Sequence, residues 1–106
     1  MPGRVSTRRQ FAQFSRPTGR GSSGPLKISF VAGADGVAVA FAIGKKVGNA
    51  VVRNRIRRRL RALFDAPRPP LPTGNYLVKV AEGTGSLTYD ELSHHLDVAL
   101  SRLIAR

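Results

Sequence analysis

Val52, Ile56, Leu60 and Leu63 recur at spacings of three and four inside a run that is otherwise mostly arginine. Placed at about 100° intervals around a helix, they fall in one narrow sector, so the run has a side to bury. Asn49 stands where an N-cap is needed. Pro67, Pro69, Pro70 and Pro72 stop any helix that reaches them. A helix is therefore expected from Asn49 to about Asp65. Burying the stripe contributes at most about 1.5–3 kcal/mol per side chain.

The rest of that helix is cationic. Residues 44–64 hold eight Lys or Arg and no acid. Asn54, Arg57, Arg58 and Arg61 are expected opposite the stripe. Arg53, Arg55 and Arg59 flank it, where their stems can cover apolar surface while the guanidinium groups stay wet. Guanidinium forks bind phosphate bidentately and stack on bases, which ammonium does not do. Gly44, Gly48 and Asn49 form a loop entering the helix, whose free amides are expected to face an anion, with Lys45 and Lys46 beside it.

The whole chain of 106 residues carries 18 Lys or Arg against six Asp or Glu, a net charge of +12. Charge of that size weakens a compact state by self-repulsion, so a polyanionic partner is expected, nucleic acid first and an anionic membrane surface second. A double-helical DNA partner is disfavoured, since recognition helices mix polar readers with fewer cations. The absence of cysteine excludes disulfides and thiolate metal sites. No apolar run approaches the roughly 18–20 residues of a membrane span. The basic N-terminal residues lack the apolar region of a signal peptide.

The length suits one domain, 1–106. Residues 1–6 are expected to be flexible and 7–15 to form a short helix with Phe11 and Phe14 on one side. The Pro/Gly/Ser-rich segment 17–25 reads as a loop. Leu26–Ala32 and Val37–Ile43 alternate as strands, joined by a segment that ends in a hairpin-type Asp35-Gly36. Both faces of the second strand are apolar, one of them all alanine, so it is expected to be central. Residues 66–74 read as a loop, and 76–82 as a third strand with Tyr76, Val78 and Val80 on one face. Thr88 and Glu91 form a capping box, with Leu87 and Leu92 placed for a hydrophobic staple. The helix that follows carries the stripe Leu92, Leu96, Ala99, Leu100 and Leu103. The fold class is α+β, a small sheet packed with helices. Were residues 37–43 and 76–82 parallel, the general prior for the crossover is right-handed.

The segment from Lys45-Lys46 through Gly48-Asn49 and Arg53-Asn54-Arg55 to Arg57-Arg58 and Arg61 resembles the signature of the bacterial ribonuclease P protein family. The resemblance implies a ribosomal-protein-S5-domain-2-like fold with a left-handed βαβ crossover. It implies a subunit of an endoribonuclease that removes the 5′ leader of precursor tRNA in the cytoplasm. Catalysis would belong to a large RNA that uses Mg²⁺, held mainly by that RNA and the substrate, with one protein per RNA and no membrane. Lys45, Lys46, Asn49, Arg53, Asn54, Arg55, Arg57, Arg58 and Arg61 would bind the RNA. Phe11, Phe14, Lys27 and Ser29 would line a leader-binding cleft. The alternative is a non-catalytic RNA-binding protein, ribosomal or chaperone-like, of related fold. The residues themselves offer no hydrolytic centre: the acids are scattered, and the adjacent His94 and His95 point apart on a helix.

Overall fold

The computed structural model describes residues 3–4, 12–33, 36–66 and 70–104. Its elements are β1 (Gly3–Arg4), β2 (Gly19–Ser23), β3 (Leu26–Ala32), β4 (Val37–Ile43), α1 (Ala50–Asp65), β5 (Gly74–Val80) and α2 (Tyr89–Ile104). Short 3-10 turns occupy Gln13–Ser15, Lys45–Val47 and Thr84–Ser86. Of the segment 1–6, Gly3 and Arg4 lie along β4 as a parallel strand, and the other residues are outside the described set. Of the first helix expected over 7–15, residues 7–11 also lie outside it, and Gln13–Ser15 form the 3-10 turn.

The sheet runs β1-β4-β5-β3-β2. β4 and β5 are parallel neighbours, so α1 is the crossover of a βαβ unit. β5 also pairs antiparallel with β3. One expectation falls here. The segment ending in Asp35-Gly36 does not close a hairpin, because β5 is inserted between β3 and β4. β4, expected to be central, is interior, paired with β1 on one side and β5 on the other, and the middle strand is β5. It is covered on both faces, with Tyr76, Val78 and Val80 in one core and Leu77 in another. It also starts at Gly74, two residues earlier than the alternation suggested, and ends at Val80.

α1 and α2 both cover one face of the sheet. Ile56, Leu60, Leu63 and Phe64 of α1 and Leu92, Leu96, Ala99, Leu100 and Leu103 of α2 share a core with alternate residues of β3, β4 and β5. Tyr76 sits at its centre, its ring 4.8 Å from Phe30 and its hydroxyl donating to the Pro72 carbonyl at 2.5 Å. Burial pushes that phenol up to about 12. Helix ends follow local chemistry. Asn49 Oδ1 accepts from the Val52 amide at 3.0 Å. The capping box forms in both directions: the Thr88 amide donates to Glu91 Oε1 at 2.8 Å, and the Glu91 amide donates to Thr88 Oγ1 at 3.1 Å. These bonds to Thr88 hold the Glu91 carboxyl below its ordinary value. The stabilisation is therefore complete above that ordinary value and is lost as pH falls through the lowered one.

Residues 17–25, expected as a loop, contain β2, paired antiparallel with β3 from Gly19–Phe30 to Ser23–Leu26. The glycines that suggested a loop have another use. Alternate β2 residues face α2, and a Cβ on Gly21 would collide with the Ala99 carbonyl and the Leu103 amide. Arg20 and Ser22 point the other way. Gly24, at φ +54°, makes the two-residue turn into β3 beneath the His95 ring. Gly21→Ala is expected to lower the unfolding free energy by about 1–3 kcal/mol, through overpacking against helix backbone that has nowhere to shift. A thermal melt of the variant checks this, and an unchanged midpoint would contradict the close helix–strand approach.

Candidate nucleic-acid interface

α1 presents its cations in two different ways. Asn54, Arg57 and Arg58 are exposed, and Arg57 Nη1 donates to Asn54 Oδ1 at 3.0 Å, which holds that guanidinium along the helix surface. Lys45, Lys46 and Asn49 are exposed at the helix entrance. Val51, 74% exposed, lies among them. Together these residues form a rigid cationic surface, because the opposite side of the same helix is locked into the core.

The other arginines are partly committed to the protein. Arg55 Nη2 donates to the Gly85 carbonyl at 3.2 Å, and Arg59 Nη1 to the Leu87 carbonyl at 3.5 Å, so both brace α1 against the connection from β5 to α2. The Nε atoms of Arg53 and Arg55 are buried without a hydrogen-bond partner. Arg61 departs from its expected place opposite the stripe. It is half-buried, with its guanidinium 5.0 Å from the centroid of the Phe41 ring, a cation–π contact that covers the edge of the core. The entrance loop also differs from expectation. Val47 and Gly48 amides donate to Gly44 and Lys45 carbonyls, and the Val52 amide goes to Asn49, so these amides are not left for an anion. The charge of Lys45 and Lys46 remains available there.

The face of the sheet away from α1 and α2 holds a second cationic feature. A groove of about 530 Å³ is lined by Phe14, Arg20, Ser22, Lys27, Ser29, Lys79 and Arg102, among others. It brings together Phe14, Lys27 and Ser29 of the expected cleft, while Phe11 lies outside the described residues. Phe14 is only 8% exposed, packed with Ala40 and Leu77. Its ring is core, not a free stacking surface. Arg20, Lys79 and Arg102 are additions that sequence reasoning missed. The alternation of 76–82 did place Lys79 opposite Tyr76, Val78 and Val80. Nothing local showed that Lys79 would stand directly across from Lys27.

No group of three His, Asp or Glu side chains gathers among the described residues. His95 Nδ1 instead shares a hydrogen bond with Ser23 Oγ at 2.9 Å.

The ribonuclease P family model matches residues 2–104. The chain belongs to the ribonuclease P protein family. The ribonuclease P protein component of Streptomyces bikiniensis is 42% identical over 65 residues, 60% of this chain and 53% of the relative. That of Salinispora tropica is 47% identical over 62 residues, 58% of this chain and 46% of the relative. The chain thus spans about half the length of the curated relatives it matches. Solved structures share the fold. The Staphylococcus aureus RNase P protein superposes with a TM-score of 0.83 at 20% identity, covering 100% of this chain and 97% of that one. The Thermotoga maritima protein gives 0.77 at 21% identity, covering 93% and 96%. In this ribonuclease P family chain the matched span includes both cationic features, the face of α1 and the groove behind the sheet.

Proposed function

We propose that this chain is the protein subunit of a ribonuclease P holoenzyme, an endoribonuclease that frees the 5′ end of tRNA. It docks on a catalytic RNA through α1 and holds the single-stranded 5′ leader of precursor tRNA in the groove on the opposite sheet face. The observation that carries the reading is the α1 surface of a family member: exposed Arg57 and Arg58, with Lys45 and Lys46, on a helix whose other side is buried. Charges carried on a helix whose other side is buried suit a folded RNA, because the backbone that spaces them is ordered before binding.

The roles divide by what each side chain already touches. Arg57, Arg58, Asn54, Lys45 and Lys46 meet RNA phosphates. Arg53 adds charge at the flank, and Asn49 fixes the helix start. Arg55 and Arg61 hold the helix and its surroundings in place while adding to the field. Chemistry belongs to the RNA, with Mg²⁺ held by RNA and substrate phosphates, and no step runs through a protein-bound metal. One protein acts per RNA, in the cytoplasm. No described helix is long and apolar enough to cross a membrane.

Reconstitution tests the reading. The protein alone is expected to leave precursor tRNA intact. Adding it to a ribonuclease P RNA at low Mg²⁺ is expected to restore leader removal that the RNA alone performs poorly. RNA binding without any effect on leader cleavage would instead support a non-catalytic RNA-binding protein.

A further inference from the structure

α1 is anchored unevenly along its length. Its buried side chains, Ile56, Leu60, Leu63 and Phe64, all lie in its later turns. Ala50 to Arg55 contribute no fully buried side chain. This part still extends about 9 Å of helix before Ile56, and it leads back to Lys45 and Lys46. Helix ends without tertiary packing fray. The two ends of the cationic surface are therefore held by different parts of the fold. Arg57 and Arg58 sit on the turns fixed by the core, whereas the lysines depend on whatever holds the first turns.

The connection from β5 to α2 supplies that hold. Val52 stands between two glycine turns: a Cβ added at either Gly48 or Gly85 would lie 2.9 Å from Val52 Cγ1. The Gly85 carbonyl accepts from Arg55 Nη2 at 3.2 Å, and the Leu87 carbonyl from Arg59 Nη1 at 3.5 Å. Arg55 Nε is buried, so this side chain lies against the protein. The connection is itself stiff. Thr84 is buried, its Oγ1 donating to the Ala81 carbonyl at 2.7 Å, and Ser86 Oγ donates to the Gly83 carbonyl at 2.8 Å. Leu87 packs against the core and leads into the Thr88–Glu91 box. Residues 80–101 contain no Lys or Arg, and Glu82 adds a negative charge, so this segment has no such cation to offer RNA. Any effect of the connection on RNA affinity acts through the placement of α1.

We infer that the Gly83–Leu87 connection is a splint that fixes the first turns of α1, with Arg55 and Arg59 as positioning residues that act through it rather than as phosphate contacts. The inference rests on the docking role proposed above for α1 and states what aims that helix. The arginines of α1 thus divide by task. Arg57 and Arg58 face outward to the RNA, and Arg55 and Arg59 tie the helix to the splint.

The test uses the full chain and a ribonuclease P RNA, with filter binding over a salt series and amide hydrogen exchange on the free protein. Gly85→Ala removes no charge, and its new methyl meets Val52. It is expected to weaken RNA binding by about 2- to 30-fold at a temperature where circular dichroism shows the parent helix content. Arg55→Met keeps the buried stem and the helix propensity but loses the bond to Gly85. It is expected to give the same loss and the same salt slope as Gly85→Ala. In both variants, exchange at the amides of Arg53 to Arg55 is expected to rise, while Leu60 and Leu63 stay at the parent level. The double variant is expected to bind no more weakly than the worse single one, since both changes release one contact. A role in stability alone would leave the affinity of the folded chain untouched, so parent affinity in either single variant would overturn the inference. Multiplied losses in the double variant would overturn it too. So would a slope flatter by about 0.7–0.9 in Arg55→Met than in Gly85→Ala, the mark of a lost phosphate contact. Should Gly85→Ala not fold, Arg55→Met carries the test, and parent exchange at Arg53 to Arg55 would overturn the inference. Parent affinity in Arg57→Ala/Arg58→Ala would remove the docking role of α1 and the inference with it. A loss there beside parent affinity in Gly85→Ala would remove the inference alone.

Discussion

Leu60→Ala is expected to lower the unfolding free energy by about 2–5 kcal/mol, a large share of the stability of a domain this small. Leu60 is fully buried, with 0% exposure, in the core that joins α1, α2 and the sheet. Alanine keeps the helix backbone content, so the loss comes from the missing apolar contacts and the cavity left between rigid elements. Urea unfolding measures it. Arg57→Ala and Arg58→Ala, at exposed positions on the same helix, are expected to stay within about 0.5 kcal/mol of the parent. Equal losses from the leucine and the arginines would refute a helix with one buried and one free side.

The arginine pair should fail in the opposite assay. If α1 and its entrance loop neutralise about five phosphates, log affinity for the partner RNA falls with log salt at a slope of about −3.5 to −4.5. Arg57→Ala/Arg58→Ala is expected to remove two of those contacts and flatten the slope by about 1.4–1.8, with weaker binding at every salt concentration. Filter binding over a salt series reads both quantities. Arg61→Ala should behave differently, because its guanidinium covers Phe41. It should cost stability as well as charge. A full-sized change of slope for Arg61 with no change in stability would show that the Phe41 contact is unimportant.

The two helices were legible because their signals are local. The Val52, Ile56, Leu60 and Leu63 stripe, the Asn49 cap and the Thr88–Glu91 box all involve residues three or four apart, where helix geometry alone makes them neighbours. The strands at 26–32 and 37–43 were legible from alternation. β2 was not, since Gly19 and Gly21 give the composition of a loop, and their reason lies in α2, some eighty residues away along the chain. The cationic site was half legible. Lys45, Lys46, Asn54, Arg57 and Arg58 are exposed as expected, whereas Arg55, Arg59 and Arg61 turned out to be engaged with Gly85, Leu87 and Phe41. A helical projection places a side chain on a flank but does not show what waits there.

By itself, then, the sequence determined the charge of this protein, its two amphipathic helices and where they start, and the likeness of its arginine-rich segment to one family. Those properties depend on spacing along the chain and on bonds between near neighbours. The tertiary structure decided that β5 enters between β3 and β4, that Lys27 faces Lys79, that Gly21 admits α2, and that Phe14 closes into the core. Each of these is a contact between distant residues, set by which apolar faces can be buried together once the sheet is assembled. The second cationic surface exists only because that assembly brings Arg20, Lys27, Lys79 and Arg102 to one face.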